Sequence, residues 1–273
     1  MSKVKIKKGL HLAYKELRAL MRKAGPTQVV FIAGAQRSGT TIALDVFGKS
    51  PDIKTYGEGD PRFFKGYRLP SIEQVEQKRN SSKFPVIVAK PLVDSQHMGK
   101  WLAEMDGLKV IWMFRDFHQV VKSANRKWPG HQLRVMHSLA KRDWKTLAWR
   151  GENISEAVLS TFDSLYHPSI NEQEGGALMW WLRNKLMFDQ GLAQNKNFML
   201  LDYEDMVKDS RLNFEGVFRW FSLQFDSSFT KEIHVDSLKP YQLPDLGDEI
   251  RHACDELLEN LKNAYQRKKA HIF

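Results

Sequence analysis

The stretch Phe31–Thr41, FIAGAQRSGTT, constrains this chain more than any other. An apolar, β-branched run, Val29–Ala35, leads into two glycines five residues apart, Gly34 and Gly39, and then into a helical pattern over Thr40–Lys49. A buried strand, a glycine turn and a helix start, in that order, build a concave anion site. The turn's N–H groups point inward and the helix N-terminus adds partial positive charge. Glycine lets the backbone approach an anion closely. The spacing is G-x4-G-T-T, where nucleotide triphosphatases have G-x4-G-K-[ST]. The lysine that would reach the outer phosphates of a triphosphate is absent. The basic residue is Arg37, inside the loop, followed by Ser38, Gly39, Thr40 and Thr41.

Further apolar runs at Pro85–Lys90, Lys109–Arg115 and Phe198–Asp202 read as buried strands, and Ile53–Glu58 as a weaker one. Helical patterns lie between them at Ser95–Met105, Phe117–Lys127 and Gly176–Ala193, with a last helix over Asp248–Lys269. Alternating strand and helix implies an α/β chain with a central parallel sheet covered by helices on both faces, a P-loop-like three-layer fold. A helical segment rich in Trp, Lys and Arg, His131–His167, interrupts the alternation. Its Trp144 and Trp149 are expected in the core, as are Trp180 and Trp181.

The formal charge of +10 is unevenly spread. Residues 1–23 hold eight Lys or Arg and one acid, Glu16, a net +7 that leaves +3 for the rest of the chain. Ile6, Leu10, Ala13, Leu17, Leu20 and Met21 recur there at helical spacing. Residues 1–24 therefore read as a basic amphipathic helix, and 25–273 as one domain. A protein that tracks nucleic acid carries its charge across a folded face, so a nucleic-acid partner is not expected. The single cysteine, Cys254, fits a reducing compartment. No apolar run approaches the roughly 20 residues of a membrane helix. The expectation is a soluble, cytoplasmic protein that can touch a membrane peripherally through residues 1–23.

The loop resembles the 5′-phosphosulfate loop of sulfotransferases that use 3′-phosphoadenosine 5′-phosphosulfate (PAPS). That family has a [KR]-S-G-T-[TS] core, and QRSGTT matches it. A second family signature is a strand ending in Arg-Asp-Pro, with a serine eight residues after the arginine. VIWMFRDFHQVVKSANRKW supplies Arg115, Asp116 and Ser123 at that spacing, with Phe117 in place of the proline. The resemblance implies that Arg115 and Ser123 hold a 3′-phosphate and that PAPS is the co-substrate with no metal; Lys127, one turn after Ser123, is expected to add charge. Arg115 at a strand's C-terminal end faces the crevice where open sheets bind ligands, and Asp116 suits a helix N-cap.

Some family members place a histidine base shortly after a lysine. Here Lys90 fits the lysine, but Leu92 stands where the histidine would be. The branches acting on carbohydrate and protein tyrosine use a carboxylate soon after the first helix, and Gly57-Glu58-Gly59 resembles that stretch. Glu58 is thus the candidate base, with Asp60 and His97 as runners-up. Arg37 and Lys90 would stabilise the leaving phosphate. Weaker matches make Tyr203 a nucleotide contact, Glu204 and Asp205 caps of the next helix, and Ser237 and Lys239 part of a loop over PAPS. The acceptor implied is a hydroxyl of a saccharide, glycolipid or other glycoconjugate. A kinase or triphosphatase with a degenerate loop and a basic nucleic-acid-binding module are the alternatives. His131 and His137 lack ligand partners at useful spacing, and no metal site is expected.

Overall fold

A computed structural model describes residues 3–22, 25–234 and 243–272. In chain order the elements are α1 (Lys3–Met21), β1 (Gln28–Gly34), α2 (Thr40–Lys49), β2 (Ile53–Tyr56), α3 (Ile72–Ser81), β3 (Val86–Ala89), α4 (Met98–Glu104), β4 (Lys109–Phe114), α5 (Phe117–Lys127), α6 (His131–Ala140), α7 (Trp144–Leu147), α8 (Glu156–Leu165), α9 (Glu172–Asp189), β5 (Phe198–Asp202), α10 (Tyr203–Lys208), α11 (Ser210–Trp220) and α12 (Asp248–Ile272).

The strands form one five-stranded sheet in the order β2-β3-β1-β4-β5, and every pairing is parallel. Successive side chains on a strand point to opposite faces, and in β1 both faces are buried. Val29, Phe31 and Ala33 enter a core shared with α4, α5, α9 and α12. Val30 and Ile32 enter a second core made with α2, α10 and α11. The three layers follow from strands that are apolar on both sides. The alternation in the sequence is thus realised, with the weak strand Ile53–Glu58 shortened to β2 at the sheet's edge.

Local chemistry sets several boundaries. Ser71 opens α3 and Asn171 opens α9, each through a capping box in which the third helical residue answers the cap. The expected helix over Ser95–Met105 is split, with a 3₁₀ turn over Leu92–His97 preceding α4. The helical insert resolves into α6, α7 and α8. Two tryptophans depart from expectation, since Trp144 is 47% exposed and Trp149 only half-buried. Trp180 and Trp181 are core residues, and Trp180 Nε1 donates to the carbonyl of Arg115 at 2.9 Å.

One glycine is fixed by crowding. Gly34 ends β1 with φ 125°, and a Cβ there would lie 2.3 Å from the carbonyl oxygen of Met113 on β4. The central pair of strands can approach this closely only if residue 34 has no side chain. Gly34→Ala is expected to lower unfolding free energy by about 2 kcal/mol or more, read as a shift of the urea midpoint. A change below about 0.5 kcal/mol, the level of an ordinary surface substitution, would show that the strands can part at no cost.

Candidate active site

The loop after β1 turns through Arg37, a non-glycine residue at φ 69°, and Gly39 at φ 85°. Left-handed backbone at a β-unbranched but long side chain is uncommon and clusters at functional sites. Gly39 has no freedom to change, because a Cβ would stand 2.4 Å from the ring of Tyr203. The backbone N–H of Gly34 is held by the hydroxyl of buried Ser95 at 3.2 Å, and that hydroxyl donates to the carbonyl of Leu92 at 3.0 Å. Among the described residues no side chain caps α2. Its first-turn N–H groups are of the kind that can receive an anion at a helix N-terminus.

Beside this loop is a cavity of about 320 Å³, walled by Arg37, Gly39, Thr40 and Thr41 from the first motif and by Arg115 from the second. Glu58, Lys90 and Tyr203 line it as well. The sheet explains the meeting. Lys90 directly follows β3, Arg115 directly follows β4, and both strands flank β1. The structure also brings Ser123 in, since Arg37 Nε donates to Ser123 Oγ at 3.0 Å and so joins the two motifs.

Each group has a defined setting. Lys90 Nζ donates to Thr41 Oγ1 at 3.0 Å, and its backbone N–H is held by the Tyr56 carbonyl at 3.1 Å. Burial pushes the Lys90 ammonium below its ordinary pKa, against the opposing pull of Glu58. Burial likewise raises the Glu58 carboxyl, although Lys90 and Arg183 act to lower it. Desolvation wins in both partners. The Arg115 guanidinium lies 4.1 Å over the Tyr203 ring, with Nε 3.6 Å from Glu204 Oε1 and Nη2 donating to Gln119 Oε1 at 3.4 Å. The Nε has no hydrogen-bond partner among the described residues.

The two alternative bases are engaged elsewhere. Asp60 accepts from Arg62 Nε at 3.0 Å and Nη2 at 2.6 Å, and this pairing holds its carboxyl below the ordinary value. His97 Nε2 is 3.0 Å from Glu152, which in turn pairs with Arg68. Asp116 caps α5 as expected, accepting from the N–H of His118 at 2.8 Å. The cap of α10 is Asp202, not Glu204 or Asp205, whose N–H groups it receives. Lys127 also departs from expectation: it is exposed on α5 and does not line the cavity. Ser38 is fully buried with its hydroxyl unpaired among the described residues, and it does not line the cavity. Ser237 and Lys239 lie outside the described residues.

Sequence reasoning missed Gln36, Trp128 and Arg183. The first two line the cavity, with the Arg37 guanidinium 5.9 Å from the Trp128 ring centroid. Arg183 is buried on α9, donating to Gln96 Oε1 at 3.1 Å and to the Leu92 carbonyl at 2.9 Å. Burial pushes it down to about 10, and it adds positive potential at Glu58. A lone arginine in the apolar run ALMWWLRNKL was the available signal. Among the described residues no three His, Cys, Asp or Glu side chains gather as metal ligands.

A sulfotransferase domain family model matches residues 27–241. Two solved structures share the fold. The sulfotransferase domain of the Synechococcus PCC 7002 olefin synthase aligns with a TM-score of 0.53 and 13% identity, covering 86% of this chain and 96% of that one. The sulfotransferase domain of the curacin biosynthetic pathway aligns with a TM-score of 0.51 and 14% identity, covering 86% and 99%. A comparison with curated proteins gave no match.

The carboxylate beside Arg115 carries a pH signature. Burial and the charge of Asp202 push Glu204 up from 4.5 to about 7. A raised carboxyl binds more protons folded than unfolded, so its contribution to stability is lost as pH rises from 4.5 to about 7. Glu204→Gln removes that loss. The thermal midpoint of the variant should gain on wild type steadily across this window, and a constant difference would contradict the assignment.

Proposed function

The chain belongs to the sulfotransferase domain family, and from that premise we propose that it moves the sulfuryl group of PAPS to a hydroxyl of a saccharide or glycoconjugate. The carrying observation is that three cations from separate strand ends, Arg37, Lys90 and Arg115, share one cavity with one half-buried carboxylate among the described residues, Glu58. The cations and the open N-terminus of α2 suit a donor with anionic groups at two ends. In this reading Arg115 and Ser123 take the 3′-phosphate. The loop N–H groups, Thr40, Thr41, Arg37 and Lys90 take the phosphosulfate.

The reaction needs one base and stabilisation of one leaving group. The acceptor oxygen forms a bond to sulfur, and Glu58 takes its proton. The bond from sulfur to the bridging phosphate oxygen breaks, and its electron pair leaves with adenosine 3′,5′-bisphosphate. Negative charge grows on that oxygen, where fixed cations lower the barrier most. Lys90, tied to Thr41 and only 8% exposed, is such a fixed cation. Burial of Glu58 makes it a stronger base than a solvated carboxylate. Leu92 stands where a histidine base would be, so Glu58 is the group that would serve the sugar hydroxyl.

Arg115→Ala should weaken adenosine 3′,5′-bisphosphate about ten- to a hundredfold in calorimetric titration, while adenosine 5′-phosphate changes little. Equal losses for both would put the 3′-phosphate elsewhere.

Glu58→Gln keeps the shape and removes the base. Turnover should fall roughly a hundredfold or more with donor affinity nearly intact, whereas Asp60→Asn should leave turnover close to wild type. EDTA should not abolish turnover. Loss of activity that magnesium restores would favour a kinase or triphosphatase.

A further inference from the structure

Helix α1 lies against the body by its polar side and turns its apolar stripe outward. On the inner side Lys15 is buried, with Nζ donating to the Gly48 carbonyl at 2.8 Å. Arg18 pairs with Asp52 at 3.3 Å, Glu16 pairs with Lys54, and Ala19 is buried. On the outer side Tyr14, Leu17, Leu20 and Met21 are 53%, 57%, 71% and 72% exposed. Ile6, Leu10 and Ala13 continue the same stripe in sequence at the helical period. An ordinary surface helix would bury that stripe. Here ion pairs to the corner between α2 and β2 hold the helix the other way round.

We propose that the outward face of α1 is a docking surface for an anionic lipid bilayer. Charge decides the occupant. Residues 1–23 carry eight basic residues and one acid. Lys15 and Arg18 are engaged on the inner side and Glu16 is paired with Lys54, which leaves six basic residues and no further acid in the arm. A second copy of the chain would bring two such arms together and repel. An anionic bilayer receives both the stripe and the charge, and it needs no shaped partner surface. Each Lys or Arg near such a surface strengthens binding about fivefold. No described helix is long and apolar enough to cross the membrane, so the contact is one of lying on it.

Orientation adds a consequence for the acceptor. Arg18 meets Asp52 before β2 while Glu16 meets Lys54 within it, so α1 runs antiparallel to that strand. Its earlier residues extend toward the strand end from which Glu58 follows. Docking would hold the cavity rim near the lipid surface, which suits an acceptor anchored there. That consequence rests on the sulfuryl-transfer reading; the docking itself does not.

The test is co-sedimentation of the full chain with phosphatidylcholine vesicles, with and without phosphatidylserine. Sedimentation should require phosphatidylserine and weaken with added salt. The exposed double substitution Leu17→Glu with Leu20→Glu should cut the bound fraction about tenfold or more, leaving the thermal midpoint and adenosine 3′,5′-bisphosphate binding unchanged. Lys7→Glu with Lys8→Glu should weaken it through charge alone. The proposal fails if wild type does not sediment with anionic vesicles at low salt, or if the leucine variant sediments equally well. It also fails if light scattering finds a dimer that the leucine substitutions break while neither form binds vesicles. That last outcome would assign the stripe to self-association. Loss of turnover with vesicle binding intact would instead count against the sulfuryl-transfer reading.

Discussion

Parallel pairing of β3, β1 and β4 is the constraint on which the rest depends. In a parallel sheet neighbouring strands finish at the same edge, so whatever follows them is brought together. Lys90 follows β3, the anion loop follows β1, and Arg115 follows β4. The contact of Gly34 with the Met113 carbonyl sets how tightly the central strands close. Tyr203, at the end of β5, then packs on Gly39 and under the Arg115 guanidinium. Three strand ends thereby hold a stack of backbone, ring and cation with little room to rearrange.

Within that frame the site sets burial against charge. Glu58 and Lys90 each attract the other's ionised form, yet burial moves both toward neutrality. In the proposed roles a base gains from this and a phosphate-binding cation loses, so the cation count matters. Arg37 and Arg183 add guanidinium groups to the site, and Arg183, though pushed down to about 10, keeps its charge at neutral pH. Arg183 does so from within the protein, fixed by Gln96 and the Leu92 carbonyl. Its burial is tolerable because both acceptors are built into the turn that also pins Gly34 through Ser95.

The layered fold and most of the cavity were legible from the chain because the relevant signals are local. A strand apolar on both faces, two glycines at fixed spacing and an Arg at a strand end each act within a few residues. Gly57-Glu58-Gly59 was legible for the same reason. What could not be read depended on which partners and faces the folded chain supplied. Arg183 owes its place to Leu92 and Gln96, Asp60 is occupied by Arg62, and Lys127 faces away although it is one helical turn from Ser123. Nothing in the α10 pattern distinguished Asp202 from its acidic neighbours as the cap.

The sequence by itself determined the parallel α/β architecture and a strand, glycine turn and helix start that lack the triphosphatase lysine. Burial of apolar strands and the backbone freedom of glycine act wherever those residues occur. Only the tertiary structure decided which way α1 faces. Helical periodicity shows that a stripe exists but not which side is buried, and three side-chain contacts to Gly48, Asp52 and Lys54 turned it outward. Likewise the union of the two sequence motifs through Arg37 and Ser123 spans 86 positions. A contact at that separation exists only because the sheet places β4 beside β1.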